Sequence, residues 1–433
     1  MTTKRGINFQ HFYQNTSMVL RSDNTGATRV WLTVLVCGLG YFVDIYDLIL
    51  FSIVRPESLR DIGVLSTQMQ DASEIILNAQ MVGMLLGGVL FGVLADKRGR
   101  LSVLLGSILM YSLMNIANAF VTSVPMYAVC RFLSGIGLAG ELGVAITLVS
   151  EVMPKNSRGY GTTIVASMGI LGAIGAYAIH QLTDWRVAFI IGGIMGLGLL
   201  VMRVRVRESG MFHRAEDAKV ARGNILMIFR RDRHGTYLSS AAIGVPIWFV
   251  IGILVTFAPE FTAETGSAAS VVAGTAVMWA YVGLATGDLA SGLLSQLLGS
   301  RKRTVLLFIV LTGASAAWYL FSPLKTTTET YVQTFVLGFS VGYWAVFVTT
   351  AAEQFGTNLR ATVATTIPNI VRGSLTPALL AFAAIRKSNF HLIPGKPLAS
   401  AAIVIGGVSI VLALVGLYFL RETYGKDLDY HEV

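Results

Sequence analysis

The segment VWLTVLVCGLGYFVDIYDLILFSIV, residues 30–54, decides how the rest of this 433-residue chain is organised. It is long enough to cross a bilayer as one helix, because about 20 apolar residues span the hydrocarbon core. Two acids, Asp44 and Asp47, interrupt it, and their spacing of three places them on one helix face together with Tyr41. Acids at membrane depth are costly and rarely face lipid. The segment therefore predicts a membrane helix whose acids face the interior of a helix bundle.

Asp44 and Asp47 are also candidates for function. Two poorly solvated carboxyls this close resist being ionised together, so one of them tends to keep a proton. A group that takes up and releases a proton is what a proton-coupled carrier needs. The structural alternative is that Asp44 caps a kink or bonds a neighbouring helix. Two acids in one glycine-flanked segment favour the functional interpretation.

The composition predicts a polytopic membrane protein. Hydrophobic residues make up 54% of the chain and charged residues only 13%, about half the charged fraction of an ordinary soluble domain. The net charge of +9 comes from Lys and Arg in short loops between apolar segments, so we attribute it to membrane topology and expect no nucleic-acid partner. Cys37 and Cys130 lie in apolar segments and the six histidines are scattered, so we expect no disulfide, metal or other cofactor.

Twelve apolar segments can be counted, and each is predicted to be a membrane helix. Their approximate limits are 30–54, 74–95, 101–121, 124–152, 161–181, 186–202, 237–260, 268–298, 304–323, 328–355, 362–385 and 397–420. A longer basic stretch separates the sixth segment from the seventh. We therefore predict an all-α protein of two six-helix bundles, residues 1–202 and 237–433, joined by a linker over 203–236.

The distribution of basic residues predicts the orientation of these helices. Most of the 33 Lys and Arg residues fall on the side of the N-terminus, and basic loops stay in the cytoplasm. Both termini are therefore expected in the cytoplasm. The first residues lack the apolar core of a cleaved signal peptide, so the first span is expected to direct insertion. We interpret the basic linker as a topology anchor rather than a site for anionic lipid.

The two predicted bundles share a sequence repeat. Glycines of the first half recur 200 positions later, with Gly83, Gly87, Gly92 and Gly99 matched by Gly283, Gly287, Gly292 and Gly299. Repeats of this kind are expected when two bundles rock around a shared site. Glu151 and Arg158 recur 202 positions later as Glu353 and Arg360, but other polar residues differ between the halves, since Gly88 corresponds to Asp288 and Glu141 to Tyr343. The halves are therefore alike as scaffolds and different in their chemistry.

The run Gly92-Val93-Leu94-Ala95-Asp96-Lys97-Arg98-Gly99-Arg100 joins the second span to the third. Its glycines permit close helix approach, and its acid and bases can pair with neighbouring helix ends. The run resembles the loop signature of the major facilitator superfamily, which implies a transporter of twelve helices with a cytoplasmic gate. The residues expected in gating are Gly92, Asp96, Arg98, Gly99, Arg100, Glu151, Arg158, Asp288, Glu353 and Arg360.

The resemblance covers almost the whole chain. It includes the stretches 131–141, 150–159, 184–189 and 422–429. Within the superfamily, residues 40–48 are similar to proton–phosphate symporters, and the chain ending is similar to sugar and metabolite carriers. Gly140-Glu141 instead resembles proton–metabolite symporters of organic acids, which argues against phosphate as the substrate. The predicted proton-coupling residues are Asp44, Asp47 and Glu141.

Further polar and aromatic residues are candidates for the substrate site. An arginine in a helix broken by proline and glycine suits an anionic group, and Arg372 has this setting beside Pro368 and Gly373. A structural role for Arg131 and a gate role for Asp288, through a basic partner, remain open alternatives. The predicted substrate-binding residues are Tyr41, Arg131, Trp248, Trp279, Tyr343, Trp344, Asn369 and Arg372.

These features predict a secondary active transporter that imports a small polar or anionic metabolite with protons. We expect a monomer in the inner membrane of a bacterium, with the lipid bilayer, the solute and protons as its partners. A proton-driven exporter of drugs or siderophore-like compounds is the alternative within transport. A membrane sensor would need a signalling domain larger than the predicted linker or tail. An enzyme is disfavoured because no nucleophile–base–acid set or metal constellation is evident.

Overall fold

The computed structural model describes residues 24–98, 100–141, 143, 145, 148–149, 153, 158–203, 233–323, 326–388 and 392–425. Within that part of the chain every regular element is helical and no β-strand occurs. Most of the predicted linker, together with Gly99 and Glu151, lies outside the described residues. The side chains of Asp96, Arg98, Arg100, Arg158 and Arg360 lie outside the described part as well.

The first half of the chain forms six described helices. They are α1 (Asn24–Asp61), α2 (Met69–Arg98), α3 (Arg100–Asn118), α4 (Val124–Leu138), α5 (Arg158–Leu182) and α6 (Trp185–Arg203). The main pairs in contact are α1 with α5, α2 with α4 and α3 with α6. The helix α1 contains the segment that organises the chain, and it is buried along most of its length.

The second half is more interrupted. Its helices are α7 (His234–Ala242), α8 (Val245–Phe249), α9 (Ala258–Glu264), α10 (Ala273–Leu297), α11 (Arg301–Phe321), α12 (Thr327–Ser340), α13 (Trp344–Glu353), α14 (Thr357–Gly373), α15 (Leu375–Lys387) and α16 (Pro397–Phe419). A π-helical segment, Val250–Val255, follows α8. Single π-helical turns are frequent at functional sites. The predicted seventh span therefore contains the least regular helix of the second half.

Nine helical stretches of the described residues are long and apolar enough to cross a membrane. Two further apolar helices, Ser102–Asn118 and Val124–Leu138, are shorter. The predicted eleventh span is divided between α14 and α15 at Ser374, so neither part reaches the length of a crossing. The described part of the chain is thus all-helical, with enough long apolar helices for a multi-pass membrane protein, and the count of twelve spans and the cytoplasmic termini stay predictions.

The repeated glycines make the same contact in both halves. A Cβ atom on Gly83 of α2 would lie 2.1 Å from the carbonyl oxygen of Phe132 in α4. A Cβ atom on Gly283 of α10 would lie 2.0 Å from the carbonyl oxygen of Phe335 in α12. Only glycine allows backbones to approach this closely. The sequence repeat therefore encodes one helix-packing motif used twice.

Two helices are broken at corresponding places. The helix α4 ends at Leu138, and a turn at residues 139–140 precedes Glu141. The helix α12 ends at Ser340, and residues 341–343 separate it from α13. Broken helices occur at membrane depth only where protein or a cavity covers the freed backbone groups. Both breaks lie in the interior, since Glu141 and Tyr343 are fully buried.

The two halves contact each other through α1, α2 and α5 of the first and α10 and α14 of the second. We name the two ends of the bundle by the predicted topology. The outer end carries Arg55 of α1 and Arg386 of α15, and the inner end carries Arg203 of α6 and Glu353 of α13. The buried polar residues discussed next lie between these ends, along α1.

Candidate functional site

A cavity lies between the two halves at the level of the acids in α1. Its lining is apolar and aromatic with a single basic residue, and consists of Tyr41, Ile45, Ile170, Ile247, Trp248, Ile251, Tyr281, Leu284, Trp344 and Arg372. An apolar cavity with a few convergent polar groups is the usual form of a small-molecule site. Both halves contribute to it, as a shared central site requires.

Arg372 supplies the positive charge of this cavity. Its side chain is buried and its guanidinium carbon lies 5.5 Å from the centre of the Trp344 ring. One nitrogen donates to Oδ1 of Asn369 at 3.4 Å, a long bond, and Nε has no hydrogen-bond partner among the described residues. No described acid forms an ion pair with it. A buried guanidinium with so few hydrogen bonds has free N–H groups that can bind an anionic group.

Asp44 lies beside the cavity, between the lining residues Tyr41 and Ile45 on α1. Its side chain is fully buried, and neither carboxyl oxygen has a hydrogen-bond partner among the described residues. Arg372 is the charged group that attracts it most strongly. A buried carboxylate without a partner is costly to keep charged. Asp44 is therefore suited to take up a proton when the charge on Arg372 is engaged elsewhere.

Asp47 has a different environment, although it lies only one turn from Asp44. Its Oδ1 accepts from Arg131 at 2.6 Å, and its Oδ2 accepts from the Ser134 hydroxyl at 2.6 Å. The same arginine donates to the Asp47 carbonyl oxygen at 2.9 Å. Gln80 and Asn115 accept further hydrogen bonds from Arg131. The expected carboxyl pair is thus divided, with Asp47 and Arg131 joined in a buried ion pair and neither lining the cavity.

Glu141 follows the break of α4 and pairs with Arg203, the last residue of α6. One guanidinium nitrogen donates to Oε2 at 2.8 Å, and a second contacts Oε1. The pair lies against Gly40 of α1, where a Cβ atom would come within 1.9 Å of the guanidinium. Sequence analysis placed Arg203 in the linker. The long apolar run before it, Trp185–Met202, could have indicated that Arg203 is the buried end of the sixth helix.

The remaining predicted substrate residues separate into two groups. Trp248 and Trp344 line the cavity with Tyr41 and Arg372. Tyr343 is buried and donates to the carbonyl oxygen of Ile243 at 2.8 Å, which ties the break of α12 to the end of α7. Trp279 is 39% exposed and packs edge-on against Phe335, away from the cavity.

Asn369 joins the two halves below the cavity. Its amide donates to the carbonyl oxygen of Ala139, at the break of α4, at 2.9 Å. A Cβ atom on Gly88 would lie 2.8 Å from the Asn369 Cβ atom, so the first half also packs directly on this side chain. Asn369 is therefore a contact between the halves as well as a neighbour of Arg372.

Two of the predicted gating residues have described side chains. Glu353 accepts from the Thr423 hydroxyl at 2.6 Å and pairs with Arg301 at 3.5 Å, all within the inner end of the second half. Asp288 has no basic partner among the described residues, and its Oδ1 accepts from the amide of Ala345 at 2.9 Å. The partner expected for Asp288 was a base, and the structure shows a helix N-terminus instead.

Ion pairs between the halves close the outer end, and sequence analysis did not find them. Arg55 of α1 is fully buried and pairs with Glu260 of α9 at 2.7 Å. Arg386 of α15 pairs with Asp71 of α2 at 2.7 Å and with Glu74 at 3.2 Å. These pairs and the Asn369–Ala139 hydrogen bond join the two halves of the chain.

Comparison with known proteins agrees with this architecture. The family description "Major Facilitator Superfamily" matches residues 37–375. The niacin transporter NiaP of Acinetobacter baylyi is 27% identical over 450 residues, covering 95% of this chain and 99% of that protein. The 4-hydroxybenzoate transporter PcaK of Pseudomonas putida is 31% identical over 189 residues, 42% of this chain and 41% of that protein.

A solved structure shares the fold. The crystal structure of a D-xylose–proton symporter matches with a TM-score of 0.69 and 19% identity, covering 92% of this chain and 100% of that one. The family match covers more than three quarters of the chain, residues 37–375, so the resemblance inferred from the loop signature is confirmed. The chain belongs to the Major Facilitator Superfamily and is a transporter rather than an enzyme.

Proposed function

We propose that this protein is a proton-coupled importer of a small, flat organic acid. The observation that carries the proposal is Arg372, a cation without a described acid partner in the wall of an otherwise apolar cavity. We further propose that it works as a monomer in the cytoplasmic membrane of a bacterium, with its termini inside. Import and proton coupling are part of this proposal, and the surroundings of Arg372 and Asp44 support them.

The cavity favours a solute with one anionic end and a planar apolar body. A carboxylate suits the fork of nitrogens on Arg372, which can donate two parallel hydrogen bonds. The indoles of Trp248 and Trp344 offer flat surfaces, and isoleucine and leucine side chains complete the wall. Niacin and 4-hydroxybenzoate, the solutes named for two relatives, are single-ring carboxylic acids. We propose that the substrate belongs to this class.

Asp44 supplies a physical route to proton coupling. In the empty carrier, Arg372 attracts the Asp44 carboxylate. A substrate carboxylate bound to Arg372 cancels that attraction, so Asp44 becomes more costly to keep ionised and a proton on it is favoured. Solute and proton then bind together, and the occluded cavity holds no unpaired charge. Loss of the proton on the inner side restores the attraction and expels the anion.

The proposal assigns different roles to the predicted proton-coupling residues. Asp44 carries the proton because neither of its carboxyl oxygens has a partner among the described residues, whereas Asp47 is paired with Arg131. Glu141 is paired with Arg203 near the inner end. This pair packs against Gly40 of α1, which lies one helical turn before Asp44. We propose that this pair receives the proton from Asp44 or guides its exit, since a carboxylate with a movable cation can exchange partners.

Transport by the purified protein tests the proposal. Proteoliposomes with an inward pH gradient are given radiolabelled 4-hydroxybenzoate, nicotinate or D-xylose. We expect the acids to accumulate and xylose to be excluded, and Arg372→Gln to abolish binding of the acids. Asp44→Asn is expected to abolish gradient-driven accumulation but to keep counterflow, since exchange needs no net proton movement. Full accumulation by Asp44→Asn would refute the proton role.

Direction is tested separately in everted vesicles with an acidic lumen and the same solutes. A proton symporter that works as an importer accumulates no acid there, because protons leave the lumen together with the solute, whereas a proton-driven exporter exchanges lumenal protons for its solute. Accumulation of a hydrophobic cation in the everted vesicles, with no uptake of acids in the proteoliposomes, would instead identify an exporter.

A further inference from the structure

Asp288 is buried within α10 and faces the break between α12 and α13. A Cβ atom on Gly342 would lie 2.5 Å from Cα of Gly287 and 2.7 Å from the amide nitrogen of Asp288. The backbones of α10 and the broken helix therefore touch at this point. That contact brings the Asp288 carboxyl to the first turn of α13.

The first turn of α13 needs an acceptor from elsewhere. The first four N–H groups of a helix have no partner within it. The residue before α13, Tyr343, makes no side-chain cap, and its hydroxyl donates to the carbonyl oxygen of Ile243. Oδ1 of Asp288 accepts the amide of Ala345 at 2.9 Å, and the amide of Trp344 faces the same carboxyl. A carboxylate here is also favoured by the positive end of the helix dipole.

Trp344 connects this cap to the cavity. It is the first residue of α13, and its ring lies 5.5 Å from the guanidinium carbon of Arg372. Together with Trp248 it forms the flat part of the cavity wall. If the start of α13 shifts, the indole shifts with it, and the surface beside Arg372 changes. The orientation of the Trp344 ring therefore depends on what fixes the first turn.

We propose that Asp288 is a positioning residue of the substrate cavity. From the neighbouring helix α10 it caps the first turn of α13 and thereby holds Trp344 beside Arg372. This inference rests on the proposed function for its transport readout. It differs from a gate or a proton site, because a cap needs only an acceptor oxygen and neither a charge nor a titrating group.

The sequence repeat supports a role confined to the second half. The residue that corresponds to Asp288 is Gly88, which packs against Asn369 of the opposite half instead of capping a helix. Among the described residues, the broken helix of the first half contributes none to the cavity lining, whereas α13 contributes Trp344. The acid is therefore present beside α13, the broken helix that contributes Trp344 to the cavity lining.

Three variants separate positioning from proton transfer. Asp288→Ala removes the acceptor, Asp288→Asn keeps an acceptor oxygen without the charge, and Thr286→Ala, an exposed position two residues away on α10, is the control. For 4-hydroxybenzoate uptake we expect Asp288→Ala to raise KM about tenfold, the scale of losing one helix N-cap, with Vmax within about threefold. Asp288→Asn and the control should retain the native KM and gradient-driven accumulation.

An unchanged KM in Asp288→Ala would overturn the proposal. Loss of accumulation in Asp288→Asn would overturn it in favour of a proton or charge role, and this variant carries the test even if the alanine protein does not fold.

Amide hydrogen exchange gives a readout that needs no substrate. The Ala345 amide should exchange about tenfold faster in Asp288→Ala than in the native protein and the asparagine variant. If the native protein transports no acid, the proposed function fails, while exchange at Ala345 still decides whether Asp288 is the cap. Equal exchange in all four proteins would refute the cap itself.

Discussion

Replacing Arg203 with leucine leaves the carboxyl of Glu141 buried without its cation. Both side chains of this pair are almost completely buried, at 2% and 0% exposure, so water cannot take the place of the guanidinium. Removing one partner of a buried ion pair costs about 3–5 kcal/mol, because the remaining charge is uncompensated. We expect Arg203→Leu to lower the stability of the folded protein by this amount.

The double variant Arg203→Leu/Glu141→Gln tests the cause. It removes both charges, so we expect it to regain most of the stability lost by Arg203→Leu, with a coupling of about 2–3 kcal/mol between the two sites. The control is Asp61→Asn, whose partner Arg186 lies at 2.9 Å with 35% and 49% of the two side chains exposed. An exposed pair of this kind contributes about 0–1 kcal/mol.

Unfolding of the purified proteins in detergent, followed by tryptophan fluorescence during heating, measures these differences. Arg203→Leu should unfold several degrees below the native protein, and the double variant should recover most of that loss. The reasoning is refuted if Arg203→Leu unfolds at the same temperature as the native protein, or if the double variant is less stable than either single variant. Either result would mean that the pair does not hold α6 to the turn after α4.

Two further predictions concern the scaffold. Gly283→Ala places a methyl group 2.0 Å from the Phe335 carbonyl oxygen, so overpacking should lower the stability by about 1–3 kcal/mol. The control is Gly292→Ala on the same helix, whose methyl group meets no atom within 4 Å and should leave the stability unchanged. Thermal unfolding measures both variants, and equal losses would contradict the packing role. Burial would raise the pKa of Glu422, but hydrogen bonds from Ser300 and from the amides of Tyr424, Arg301 and Lys302 lower it to about 2. Because the folded-state pKa lies below the unfolded value, this stabilisation is present above about pH 4.5 and is lost as pH falls through 2. Glu422→Gln should therefore lower the melting temperature at pH 7, by an amount that shrinks below pH 4.5, and a difference independent of pH would contradict the assignment.

The family and the character of the first helix could be predicted from local sequence. The loop signature, the repeated glycines and the two acids of α1 all depend on short spacings, which a helix converts directly into faces and contacts. Tyr41, Trp248, Trp344 and Arg372 were also predicted for the substrate site, and they line the cavity.

The pairing of the buried charges could not be predicted from the sequence. Asp44 and Asp47 look equivalent along α1, yet Asp47 has an ion pair and Asp44 has no partner in the part of the chain that the structure describes. The difference arises because Arg131 reaches only the second of them from α4, 84 residues away. Such distances along the chain carry no periodic signal, so neither that pair nor the Glu141–Arg203 pair was evident.

By itself the sequence determined that the chain is a helical membrane protein of two related halves, since apolar length, glycine spacing and loop charge act locally on any helix in a bilayer. Only the tertiary structure decided which acid has no partner among the described residues, which bases form ion pairs between the halves, and that Asp288 meets a helix N-terminus. Those outcomes depend on the packing of helices far apart in sequence, where a displacement of a few ångströms changes which groups can form hydrogen bonds.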